Sequence, residues 1–225
     1  MNTTPGGYTG NDPFLDYHLG GCHVVCKDIY TYMPDVWEYL VSKYGIESVL
    51  DVGCGAGWNT AWFHEKGLYA VGVEGWKEAI EGTRLPLQRL IQHDYTTGPI
   101  PRGMLGQFDL CWCSEFVEHV EEKFIPCYAE SFQHCHYLCM TYAVPGQGGH
   151  HHVCERDESF WIDKLKTYGF QHVEAETKYL RATDGDRKSP WGRPTLTFFE
   201  NTNWDKTQPT RFHEGTAVNR QTNQV

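Results

Sequence analysis

A chain of 225 residues, 40% hydrophobic and 21% charged, can bury one substantial core and has the balance of an ordinary globular protein. Its formal charge of -10 argues against a nonspecific nucleic-acid surface, and no stretch approaches the roughly 20 apolar residues that a membrane-crossing helix needs. Nine cysteines, an odd number scattered through apolar segments, fit reduced thiols better than a disulfide framework. Cys22 and Cys26 share their spacing with Cys135 and Cys139, but neither pair has the tight gap of structural zinc.

In chain order, residues 1–17 are rich in Gly, Thr, Asn and Pro without a sustained period, and 1–28 are expected to form a flexible leader or an active-site lid. The start has neither the basic nor the apolar part of a signal peptide, so a cytoplasmic protein is expected. The folded domain is placed at 29–204 and a polar tail at 205–225. Met33, Val36, Trp37, Leu40, Val41 and Tyr44 recur at helical spacing, with Pro34 in the first turn and Gly45 at the close, which predicts a helix over 33–44. A buried strand is predicted at 48–52, and the helix after it at 58–66, ended by Gly67. Further strands are predicted at 68–73, 89–93, 107–113 and 136–144, with a short helix from about Trp76 and a longer one over 121–133. Then come a helix at 159–168, strands at 170–174 and 194–200, and a polar surface loop over 177–193. Strand and helix signals alternate at intervals suited to right-handed crossovers. The expected fold is therefore α/β, a three-layer sandwich with a mainly parallel sheet.

The run Val49-Leu50-Asp51-Val52-Gly53-Cys54-Gly55-Ala56-Gly57 carries the most information. It describes a buried strand that ends in an acid and opens into a glycine-rich turn, a shape that meets a ligand through its backbone. The spacing departs from the dinucleotide signature, which has a glycine three residues after the position of Gly55. Acids recur at the ends of the next two predicted strands, as Glu74 and Asp94.

LDVGCGAG at 50–57, AVGVEG at 70–75, QHDY at 92–95 and FDLCWCSEFVEHV at 108–120 together resemble the class I S-adenosylmethionine-dependent methyltransferases, particularly the small stand-alone domains. The likeness spans roughly residues 45–200. It implies a Rossmann-like, seven-stranded, mostly parallel sheet with an antiparallel last strand, and S-adenosyl-L-methionine as methyl donor. On that reading Asp51 faces the ammonium end of the donor, while Gly53, Cys54, Gly55 and Gly57 let the backbone approach. Glu74 with Gly75 serves the ribose, Asp94 with Tyr95 the adenine, and Ser114 and Glu115 the region of the sulfonium. Trp76 is placed to cover the adenine, and His119 is read as a structural or pocket-wall residue. The Asn/Asp-Pro-Pro-Tyr/Phe motif of amino methylation is absent.

A hydroxyl acceptor must lose a proton during methyl transfer, and histidine has a suitable pKa. His150, His151 and His152 follow the fifth predicted strand, at the sheet edge where ligands of open α/β folds bind, and are the candidate catalytic residues. Two of them with Glu115, Glu118 or His119 have the chemistry to bind a divalent ion, but no spaced ligand set marks such a site and no metal is expected. His18 and His23 are further candidates for the acceptor pocket, whereas Arg181, Arg187, Lys188, Trp191 and Arg193 read as a solvated loop. The function expected is methylation of a small-molecule or glycan-like acceptor, on oxygen rather than nitrogen, with no nucleic-acid or membrane partner. Methylation of protein or nucleic acid, and a noncatalytic donor-binding module, are the alternatives; the sequence leaves the oligomeric state open.

Overall fold

The computed structural model describes residues 30–183 and 192–205, together with Leu19 and Asp28. Most of the expected leader, the tail beyond 205, and Tyr17, His18, Cys22, His23, Cys26, Arg187, Lys188 and Trp191 lie outside the described residues. The elements follow the order α1 (Pro34–Tyr44), β1 (Ser48–Val52), α2 (Trp58–Glu65), β2 (Tyr69–Glu74), α3 (Lys77–Glu81), β3 (Leu90–Gln92), β4 (Phe108–Cys113), α4 (Ile125–Gln133), β5 (Cys135–Met140), α5 (Glu158–Lys166), β6 (Phe170–His172), α6 (Glu174–Ala182), α7 (Gly192–Thr195) and β7 (Thr197–Asn201).

Seven strands form one sheet in the order β3-β2-β1-β4-β5-β7-β6. The β2-β1, β1-β4, β4-β5 and β2-β3 pairs are parallel, and β7 runs antiparallel to both of its neighbours. The strand order reverses between β1 and β4. Helices cover both faces, as the alternation of side chains along a strand requires. Val49 of β1 and Leu110 and Trp112 of β4 pack with Trp37 and Leu40 of α1, Trp62 and Phe63 of α2 and Leu180 of α6. Leu50, Val52, Cys111 and Cys113 turn the other way, toward Tyr128 and Phe132 of α4 and Trp161 and Leu165 of α5. The architecture is thus the three-layer α/β sandwich. None of the helices among the described residues is long and apolar enough to cross a membrane. The seven described cysteines are not disulfide-bonded.

Several expected boundaries are corrected. The strand predicted to run to Val144 ends at Met140, and the one predicted over 170–174 ends at His172, where Val173 caps α6. The largest difference lies at 177–193, read as a loop but helical through Ala182. The buried face of α6 is made by Glu176, Thr177 and Leu180, so polar residues hold it in place. Glu176 accepts hydrogen bonds from Lys43 and from Tyr44 Oη, the latter at 2.8 Å. Nor are Arg181 and Arg193 simply solvated. Arg181 donates to the Leu196 carbonyl at 2.7 Å and to Glu158 at 2.9 Å, and Arg193 grips both oxygens of Asp35 at 3.0 and 2.8 Å. Pro194 and Thr195 belong to the α7 turn rather than to the last strand, which extends instead to Asn201.

Candidate functional site

A cleft opens beyond the carboxyl ends of the strands at the point where their order reverses, the place where open α/β sheets bind ligands. Residues 53–56 with Trp58 and Asn59 supply one wall after β1, and Glu74, Gly75, Trp76 and Ala79 a second after β2. His93 to Thr96 follow β3, and Ser114, Glu115, Phe116, His119 and Val120 follow β4. Leu19, Asp28 and Thr31 complete the lining.

The glycine turn owes its path to backbone conformation. Gly53, Gly55 and Gly57 have φ of 75°, 55° and 78°, the left-handed region that side chains disfavour. At Gly53 an added Cβ would lie 2.5 Å from the Phe116 ring, whereas at Gly55 it would meet nothing within 4 Å. Gly55 therefore presents bare backbone to the cleft. Gly57 caps α2, and its carbonyl accepts from Ala61 N at 2.8 Å.

Glu74 ties the two loops together. Its carboxylate accepts from Gly55 N at 2.7 Å and from the amides of Gly75 and Trp76, each at 2.8 Å. Burial pushes its carboxyl upward, and those three amides oppose the shift. Gly75 leaves room beside it, since a Cβ there would lie 2.8 Å from Leu19 and 3.1 Å from the His93 carbonyl. Asp94 caps the turn Tyr95–Thr97 by accepting from Thr96 N at 2.8 Å.

Two of the expected donor contacts are placed differently. Asp51 does not line the cleft: it is 1% exposed, behind the glycine turn, and accepts from Thr60 Oγ1 at 2.5 Å. Burial raises its carboxyl to about 7, with the Thr60 hydrogen bond opposing and the charge of Glu74 adding. Tyr95 borders the cleft, but its hydroxyl points into the core and donates to Ser131 Oγ at 2.9 Å.

At the other end of the cleft the chain turns sharply, with Glu115 at φ 49° and its amide donating to Thr141 Oγ1 at 2.9 Å. Burial raises the carboxyls of Glu115 and Glu118; the charge of Glu115 raises Glu118 further, whereas hydrogen bonds with Thr141 and Glu118 oppose the shift at Glu115. His119 is lowered to about 4, mainly by burial and then by the charge of His152. None of the three candidate histidines lines the cleft. His150 is exposed, and His151 sits at φ 52°. Two of them reach the wall at His119: the His151 backbone hydrogen-bonds the His119 imidazole, and the His152 ring lies 5.1 Å from it, with His152 Nδ1 3.0 Å from Glu155. Glu155 is held in turn by the amides of Gly146 at 2.7 Å and Gly148 at 2.6 Å.

A family model described as a methyltransferase domain matches residues 50–135. The chain has the class I S-adenosylmethionine-dependent methyltransferase fold. Solved structures agree. The methyltransferase fold of this chain is similar to the magnesium protoporphyrin IX methyltransferase of Synechocystis with bound donor, at 14% identity and TM-score 0.53 over 75% of this chain and 77% of that one. It is similar as well to an S-adenosylmethionine-dependent methyltransferase from Mesorhizobium loti, at 16% identity and TM-score 0.51 over 74% and 96% of the two chains. The methyltransferase domain of bacterial CtHen1 also aligns at 16% identity, with TM-score 0.50 over 74% and 96%. No curated protein matches the chain in sequence.

Some lining residues escape sequence reasoning. Asn59 has a local signal, two positions beyond the last glycine of the turn. Asp28 and Thr31 have none, because only the tertiary fold brings them to the cleft.

Proposed function

We propose that the protein transfers the methyl group of S-adenosylmethionine to an oxygen of a small-molecule or glycan-like acceptor. The observation that carries this reading is the Glu74 carboxylate bound by the amides of both loops, facing a cleft into which Gly55 presents backbone alone. Glu74 keeps one lone pair, on the oxygen that meets Gly55 N, for a ribose hydroxyl, and Asp94 lines the cleft for the exocyclic amine of the adenine. The glycine turn receives the amino acid end, with Asp51 acting from behind it. That arrangement delivers the sulfonium toward Ser114 and Glu115, where the acceptor would enter.

The chain's residues must then align the acceptor oxygen with the methyl carbon, exclude water and remove the hydroxyl proton. The C–O bond forms as the C–S bond breaks, leaving neutral S-adenosylhomocysteine. Of the three candidate histidines, His152 is the one whose ring meets a cleft-lining ring, that of His119, and we place the acceptor side of the reaction at that pair. Acid groups around the cleft, Asp28, Glu74, Asp94 and Glu115, together with the formal charge of -10, favour a small acceptor over a nucleic acid.

Glu74→Ala tests the donor half. Loss of its carboxylate leaves three amides without their acceptor, and affinity for S-adenosylhomocysteine should fall by about 10- to 100-fold in calorimetry. Unchanged affinity would place the donor elsewhere. The acceptor half is tested by S-adenosylhomocysteine release across a panel of hydroxylated small molecules, with His152→Ala assayed over pH against the best acceptor. Equal turnover and an unaltered pH profile would remove His152 from the reaction.

A further inference from the structure

Glu118, His119 and His152 converge at the acceptor end of the cleft. One ligand-capable atom from each lies within 4.8 Å of the other two. Glu118 is fully buried, its carboxyl is reached by its own amide and by the Glu115 carboxyl but by no ion-pair partner among the described residues, and His119 Nδ1 is buried without a partner. Buried carboxylates in native proteins are paired, hydrogen-bonded or bound to metal, because an unsupported one is strongly unfavourable.

We propose that Glu118, His119 and His152 form a binding site for a divalent transition-metal ion. One carboxylate oxygen and two imidazole nitrogens make the mixed oxygen and nitrogen set that suits zinc, manganese or ferrous iron, and three protein ligands leave a position for a further oxygen. The surroundings are built to match. Glu155 pins His152 at 3.0 Å, the outer carboxylate that orients a metal-bound imidazole. Val153 N and Cys154 N donate to the Glu118 carbonyl at 2.9 and 3.0 Å, so the histidine loop is fastened directly to the segment that supplies the other two ligands. Glu115, whose carboxyl adjoins that of Glu118, adds a further buried oxygen.

The site itself does not depend on the donor reading; its role in transfer does. Glu115 and His119 line the cleft, so an acceptor oxygen entering there would complete the coordination, and the ion's charge would ease loss of its proton. His152 then acts as a ligand and not as the proton acceptor itself.

The test uses the full chain, stripped of metal with chelator and titrated with cobalt(II) by visible absorption and with zinc(II) by calorimetry. S-adenosylhomocysteine binding is measured in parallel. About one ion per chain is expected, with affinity weakened at least about 100-fold in both Glu118→Gln and His152→Ala and donor affinity kept within about 3-fold. The His152 variant, at a partly exposed ring, keeps the test decisive if the buried Glu118 change disturbs folding. Absence of stoichiometric binding by the unaltered protein overturns the site, as does full affinity in a folded His152→Ala. Ion binding without S-adenosylhomocysteine binding would leave the metal site standing and remove the donor reading alone.

Discussion

Gly55→Val should abolish binding of S-adenosylhomocysteine while leaving a folded far-ultraviolet circular-dichroism spectrum. The residue has φ of 55°, where a β-branched side chain is strained by roughly 1–3 kcal/mol. No neighbour stands within 4 Å of the added Cβ, so the protein can accept the side chain sterically. The ligand cannot, because the valine methyls would occupy the space that the bare backbone leaves to it. Calorimetry should show at least about a 100-fold loss, about 2.7 kcal/mol. Gly55→Ala, which brings most of the backbone strain and less bulk, should fall between the two. Retained affinity in the valine variant would move the donor out of this cleft.

Asp51→Asn should remove a large part of the protein's pH-dependent stability. The Asp51 carboxyl is raised from 3.8 to about 7 in the fold, first by burial, so the native state holds a proton that the unfolded chain releases. Its stabilising contribution is complete below about pH 4 and is lost as pH rises through 7. At about 1.4 kcal/mol per pH unit the change across that window is on the order of 4 kcal/mol. Urea midpoints measured from pH 4 to 7.5 should therefore fall more steeply for the wild-type protein than for Asp51→Asn, whose neutral amide preserves the shape beside Thr60. Parallel slopes would mean that Asp51 ionises normally. Donor binding offers a second reading: a cationic ammonium near the turn should draw the proton off Asp51, so binding near pH 6 should release protons to the buffer.

Legibility in the sequence followed the physical origin of each feature. Strand β1 was readable to the residue, because Val49, Leu50 and Val52 lie in a short segment bounded by turn signals and buried on both faces. The glycine turn was readable because backbone conformation restricts which residues serve there. Helix α6 was not, since its inward face includes Glu176 and Thr177, which count as polar until Lys43 and Tyr44 are seen to meet the glutamate. Asp51 and Tyr95 were legible as members of the site region but not in direction: each side chain turns away from the cleft to a partner in another element, Thr60 of α2 or Ser131 of α4. The histidine loop with Glu118 or His119 was legible as a set of ligand-type residues, but the membership of the group, one loop histidine with both Glu118 and His119, was not. Its members come from loops after β4 and β5, and only the parallel pairing of those strands makes the loops neighbours.

The Glu74 contacts bear on how a ligand would be received. A loop that must be ordered by its ligand gives up part of the binding free energy to that ordering. Here the loops after β1 and β2 are already joined through one part-buried carboxylate in the protein alone. Their disorder is lost during folding. A molecule entering the cleft should therefore meet a rigid surface, and the heat-capacity change on binding should report little beyond the apolar area it covers.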